Sequence, residues 1–135
     1  MELKSEYLCT LVVELGEAQV IGDGPHGTRR IVPLTGGKIE GPKIDGEVLP
    51  FGADWILIRP DGAIQLDVRA TIRTDDDELI YVGYKGIFDP PRNYFRITPS
   101  FETGSEKYSW LNKIICVGKG KRGEGQVEYE IHQIL

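Results

Sequence analysis

The sequence predicts an all-β fold: a single small antiparallel β-barrel of roughly eight to eleven strands, with little or no helix. Three observations carry this. The stretch "AIQLDVRATIRT" alternates without a break. It sets Ile64, Leu66, Val68, Ala70 and Ile72 against Gln65, Asp67, Arg69, Thr71 and Arg73, the pattern of a half-buried strand. The 17 glycines and 8 prolines recur along the whole length and punctuate short segments. No stretch has a helical period.

Taken in order, "LKSEYLCTLVVEL" places Leu3, Tyr7, Cys9, Leu11 and Val13 on one face and Lys4, Glu6, Thr10 and Glu14 on the other. "GDGPHG" (22–27) fits G-x-G-x-x-G literally. Pro25 lies inside it, however, and extended "TRRIVPLTGG" follows where a dinucleotide site needs a helix, so it reads as a Gly-rich loop. "IVPLTGGKIEGPKIDGEVLPFG" is too broken by Gly and Pro for long strands and is expected to hold two or three short ones. "RPDGA" (59–63) suits a type I turn closed by a left-handed glycine, which sets Leu57 opposite Gln65 and Ile56 opposite Leu66. "TDDDE" (74–78) lacks calcium-loop spacing and reads as a solvated hairpin tip. An even-numbered loop there sets Arg73 opposite Glu78 and Ala70 opposite Tyr81. "ELIYVGYKGIF", "NYFRITPSF", "YSWLNKIICVG" and "QVEYEIHQI" are rich in β-branched and aromatic residues and complete the strands.

These registers sort side chains into an interior and an exterior. Asp54, Ile56, Ile58, Leu66, Val68, Ile72 and Tyr81 fall inside. Trp55, Leu57, Gln65, Asp67, Arg69, Thr71, Val82 and Tyr84 form a mixed outer face of the kind that meets a partner subunit. Lys113 marks the outward side of its segment, so Tyr108, Trp110, Asn112, Ile114 and Cys116 point inward, beside Val127, Tyr129 and Ile131 of the last strand.

At 135 residues, with no linker, repeat or low-complexity tract, residues 1–135 read as one domain. The apolar runs are too short to span a bilayer, and Met1–Glu6 is polar at once, unlike a signal peptide. Cys9 and Cys116 make neither a disulfide framework nor a zinc quartet, and read as buried thiols of a cytoplasmic protein. The net charge of −5 argues against a nucleic-acid partner. His26 and His132 have no spaced Cys or carboxylate partners, so neither a metal nor a cofactor is expected.

Asp54 is the candidate catalytic residue. A carboxylate on an apolar face has its charged form disfavoured by desolvation, the usual route to a general acid or base. The alternative is a carboxylate that caps backbone N–H groups or pairs with Arg30 or Arg69. Tyr81, Tyr108, Trp110 and Asn112 are the candidate substrate-binding residues: an aromatic wall and a few polar tips in an apolar concavity. The other reading makes them core aromatics and a satisfied amide.

Three stretches, "GTRRIVPLTGGKIEGPKIDGEVLPFGADW", "RPDGAIQLDVRATIRTDDDELIYV" and "FETGSEKYSWLN", occur in an order and spacing that resembles the bacterial domain-of-unknown-function family numbered 3237. The resemblance implies a small closed or nearly closed β-barrel and no established activity. "DDDE" departs from the Asp-Gly turn more often found there.

The expected function is therefore a small-molecule-binding barrel. As an enzyme it would run cofactor-free acid–base chemistry, such as isomerisation, cyclisation or elimination, on a small apolar or aromatic substrate. The competing expectation is an assembly protein with a filled lumen that forms a homodimer through Trp55, Leu57, Asp67, Arg69 and Tyr84. A third is a carrier of hydrophobic ligands, with Asp54 paired.

Overall fold

The computed structural model describes residues 1–135. Ten antiparallel strands make one sheet: β1 (Ser5–Leu15), β2 (Gln19–Gly24), β3 (Gly27–Glu40), β4 (Asp45–Val48), β5 (Ala53–Ile58), β6 (Ile64–Thr74), β7 (Leu79–Asp89), β8 (Tyr94–Glu102), β9 (Cys116–Gly123) and β10 (Gln126–Ile134). The only helical pieces are 3-10 turns at Pro90–Arg92 and Ser109–Lys113.

The sheet closes because β1 pairs with β10 on one side and with β3 on the other. Around the ring run β1, β10, β9, β8, β7 and β6. A shared position held by β4 and β5 comes next, and β3 completes the circuit. β2 prolongs the course of β1 along the first half of β3, so ten strands build an eight-stranded barrel with two extra strands. Closure pairs most of the edges that an open sheet would present, with β2 bonded on one side only.

The alternation does what it predicts along most strands. Leu66, Val68, Ala70 and Ile72 of β6 are buried, as are Phe95, Ile97 and Phe101 of β8 and Val127, Tyr129 and Ile131 of β10. Together with Leu11, Val13, Ile39 and Ile80 they belong to one continuous core cluster. Tyr7 is the exception on β1: a register shift between Tyr7 and Cys9 turns Leu8 inward and leaves Tyr7 41% exposed.

The "RPDGA" turn forms as expected. Arg59 N–H donates to Ala63 O (2.9 Å), Gly62 N–H donates to Arg59 O (3.0 Å), and Gly62 is left-handed (φ 90°). Leu57 faces Gln65. The "TDDDE" turn is built the same way. Thr74 N–H donates to Glu78 O (2.8 Å), Asp77 N–H donates to Thr74 O (2.9 Å), and Asp77 takes the left-handed place (φ 65°). The loop is thus odd-numbered, which corrects the expected register. Arg73 faces Leu79, Ala70 faces Val82 and Val68 faces Tyr84. A one-residue slip exchanges the faces of a strand. Val82 and Tyr84 therefore point inward and are buried, while Tyr81 points outward and is 41% exposed.

The second correction concerns residues 108–112. They do not form a strand. Ser109–Lys113 is a 3-10 turn in which Tyr108 and Leu111 are buried, at the three-residue spacing of that helix rather than the two of a strand. Tyr108 Oη donates to Asp76 Oδ1 (2.8 Å), which ties this segment to the β6–β7 turn. It covers that end of the barrel.

Candidate functional site

Asp54, Val68 and Tyr84 stand in one row across β5, β6 and β7. Paired residues of an antiparallel sheet share a face, so all three project into the lumen. Their half of the lumen is not filled. A cavity of about 180 Å³ remains, and 13 of its 16 lining residues are hydrophobic. Its charged members are then few enough to name: Asp54, Arg30 and Arg122. An engineered apolar cavity of about 150 Å³ holds a benzene molecule. This lumen is therefore of a size for one ring with small substituents.

Asp54 is 5% exposed. The β5–β6 ladder is interrupted between the pairs Asp54–Val68 and Leu57–Gln65. In that interval Asp54 Oδ1 accepts the Asp67 N–H at 3.1 Å, in place of a ladder carbonyl. No ion pair forms with Arg30 or Arg69. Burial pushes the Asp54 carboxyl up from 3.8 to about 6; the Asp67 N–H opposes this and the nearby Asp67 charge adds to it. One backbone donor does not offset the desolvation.

Tyr84 and Tyr129 complete the polar part. Their rings meet edge to face with centroids 5.0 Å apart. Burial raises the Tyr84 phenol well above its usual value, and Tyr129 and the Asp54 charge raise it further. Burial likewise raises Tyr129, and the Asp54 charge contributes in the same direction. At neutral pH the lumen thus holds one carboxylate that titrates close by and two phenols that stay protonated. That combination can accept a proton and donate hydrogen bonds within an apolar space.

Phe88 and Phe95 continue the wall. They stack at 4.7 Å, and Phe95 meets Tyr129 edge-on at 5.5 Å. Gly120 on β9 admits the Phe95 ring: a Cβ at that position would lie 2.6 Å from it.

Of the five residues singled out from sequence, the lumen receives Asp54 alone. Tyr81 is on the outside of β7 because of the odd turn. Tyr108, Trp110 and Asn112 sit in the segment that covers the other end. Trp110 packs there against the core, with Lys43 Nζ 5.4 Å from its ring centre. Asn112 faces solvent and holds Thr103 twice: its Oδ1 accepts the Thr103 N–H (2.8 Å) and its Nδ2 donates to Thr103 O (3.0 Å). The sequence pattern assigns Tyr84 to the outer face, places Tyr129 inside without making it a site residue, and marks no site at Arg122. Recognising Asp77 as a stand-in for a left-handed glycine would have brought Tyr84 inward.

The family model described as "Protein of unknown function (DUF3237)" matches residues 3–94 and 88–134. A UPF0311 protein of Rhodopseudomonas palustris is 36% identical over 149 residues, covering 98% of this chain and 97% of that protein. The crystal structure of a β-barrel-like protein from Acinetobacter baumannii superposes with a TM-score of 0.93 at 35% identity, over 100% of this chain and 98% of that one. More distantly, a Penicillium herquei protein named hydroalkoxylation enzyme is 31% identical over 114 residues, covering 84% of this chain and 71% of that protein. The solved structure of an enzyme from the same fungus has a TM-score of 0.84 at 28% identity, over 100% and 96% of the two chains. The match of sequence and barrel over nearly the full length shows that the chain belongs to the DUF3237 family, whose bacterial relatives carry the name UPF0311.

Proposed function

We propose that the barrel binds a small, mainly apolar molecule in its lumen and carries out cofactor-free acid–base chemistry on it, with Asp54 as the proton carrier. The observation that carries this reading is a buried carboxylate, raised to about 6, facing an apolar cavity beside two neutral phenols. A structural carboxylate in a filled barrel would have no space before it. Cyclisation or isomerisation suits this set, because neither needs an oxidant or a leaving group. In an addition of O–H across C=C, Asp54 takes the proton from oxygen as the C–O bond forms. Asp54 then delivers that proton to the adjacent carbon, while the two neutral phenols donate hydrogen bonds. The name of the fungal relative, a hydroalkoxylation enzyme, points to the same class. The buried free thiols Cys9 and Cys116 suit a reducing compartment such as the cytoplasm. No helix is long and apolar enough to cross a membrane.

The test is carboxyl and methyl NMR with phenol as probe. Asp54 is expected to titrate near pH 6, and phenol to shift the methyls of Val13, Leu66, Val68 and Val127. An ordinary carboxylate titration with no methyl shifts at millimolar phenol would overturn the proposal.

A second reading concerns association. Phe51 (92% exposed), Trp55 and Tyr81 surround a shallow depression on the outer face, with Arg69 stacked 5.5 Å from the Trp55 ring centre. We infer that this patch meets a second copy of the chain. Light scattering should give a dimer that Phe51→Ser converts to a monomer; an unmodified protein that is monomeric at 100 micromolar (about that order) removes the idea.

A further inference from the structure

The mouth of the cavity carries a different chemistry from its floor. Arg30 on β3 and Arg122 on β9 line it, in a chain of net charge −5. Both are exposed, and the ion pairs of the chain all lie elsewhere. The Arg122 guanidinium rests 4.5 Å from the Phe88 ring centre, which holds its position without cancelling its charge.

The barrel wall also parts beside Arg122. β8 and β9 pair only at Arg96–Lys119 and Ile97–Gly118. Beyond that point β8 continues on β7 to Tyr94, and β9 continues on β10 to Gly123, with no ladder between them. A recess of about 590 Å³ lies outside this parting and shares Phe88, Phe95 and Arg122 with the lumen. Lys119 and Lys121 also border the recess, but Glu130 and Glu128 stand opposite them across the β9–β10 ladder. Arg96, the remaining arginine of the recess, is turned to Phe95 O (3.0 Å) and the Tyr94 ring, which leaves Arg30 and Arg122 as the cations at the mouth of the lumen that make no ion pair.

We propose that the ligand of this lumen is a small aromatic carboxylate, whose ring occupies the apolar cavity and whose carboxylate is held at the mouth by Arg122 and Arg30. This rests on the reading of the lumen as a ligand site and adds the class of ligand. The cavity volume limits the apolar part to one ring. Guanidinium groups match a carboxylate in geometry as well as charge. Arg122 rests on Phe88 of the Ile58–Ile64–Phe88 rim, two same-face steps from Asp54 in the Val68–Tyr84 row, and Arg30 faces Ile56, the step between them, so a cation separates the two negative groups. The recess gives the anion a positively charged approach.

The experiment compares benzoate with its neutral counterparts benzamide and toluene, followed by the lumen methyl shifts of the full chain. Benzoate should bind more tightly than benzamide, and Arg122→Gln or Arg30→Gln should weaken benzoate by about ten- to hundredfold while leaving toluene unchanged. Lys85→Gln, on the outside of β7, should alter neither. Benzamide binding as well as benzoate, or both arginine variants keeping the preference, overturns the proposal. If toluene binds and benzoate does not, the ligand class fails while the lumen site stands. If none of the three shifts the lumen methyls, the site itself fails, and the ligand class with it.

Discussion

Asp54 and Asp67 are tied across the β5–β6 interface, the carboxylate of one accepting the backbone N–H of the other at 3.1 Å. The bond fixes a side chain that faces the lumen, yet leaves its carboxyl pushed up to about 6 because burial dominates. In the unfolded chain that group titrates near 3.8. The native state therefore holds the proton more tightly, and its stabilising effect is complete below about pH 4 and lost as pH rises through about 6. Two pH units of difference correspond to roughly 3 kcal/mol. Asp54→Asn keeps an acceptor for Asp67 and removes the ionisation. It should raise the melting temperature at pH 8 but not at pH 4, while abolishing proton transfer. Equal melting curves at pH 8 would show that the carboxylate is not desolvated.

Asp77 occupies the left-handed position that Gly62 fills in the preceding hairpin. Left-handed backbone costs an L-residue about 1–2 kcal/mol, less for Asp than for most. Asp77→Gly should therefore stabilise the protein by about 0.5–1 kcal/mol in urea unfolding. The exposed contact of Asp77 with Arg73, at 3.7 Å, offsets little of this.

Asp76 is held well below the usual carboxylate range, first by Lys107, with Thr74 and Tyr108 contributing in the same direction. Its lowered value means that the stabilisation is present above the unfolded pKa and disappears as pH falls through the folded one. In a Trp55→Phe background, Trp110 fluorescence should report loosening of residues 103–115 on acidification. Asp76→Asn should bring that change up to neutral pH. An unchanged Trp110 signal in the variant would separate the turn from the segment above it.

Gly120 faces the Phe95 ring with no space between. Gly120→Ala should cost about 1–3 kcal/mol from overpacking. It should also push Phe95 toward Tyr129 and diminish the lumen. Loss of phenol binding in a variant that still folds would be the signature, and unchanged binding would show that the ring relaxes outward instead.

The fold was legible because most of its strands carry a period of two that survives in β1, β6, β8 and β10. The position of Asp54 was legible for the same reason: its parity with Ile56 and Leu66 depends on the "RPDGA" turn, whose glycine declares its geometry. The rest of the site was not, and two local causes explain it. At residues 75–77 an aspartate does the conformational work of a glycine, so the turn hid its length, and the face of β7 was read inverted. At residues 108–112 aromatic and polar residues alternate by composition, while the backbone coils with a period of three. Arg30 and Arg122 belong to the lumen only once the barrel closes, since nothing near either in sequence marks a cavity.

The two halves of the barrel divide its labour. The end covered by residues 103–115 holds Cys9, Ile39, Ile72, Ile80, Leu111 and Ile131, all among the most deeply buried side chains. The opposite end is hollow, and at its rim Arg30 and Arg122 are exposed and make no ion pair. Changes at the rim thus need not endanger folding, and a lineage could retune what the hollow end accepts while inheriting the solid end intact. That separation is an opportunity for laboratory evolution: libraries at Arg30, Ile58 and Arg122 would sample new specificities on a foundation they do not disturb.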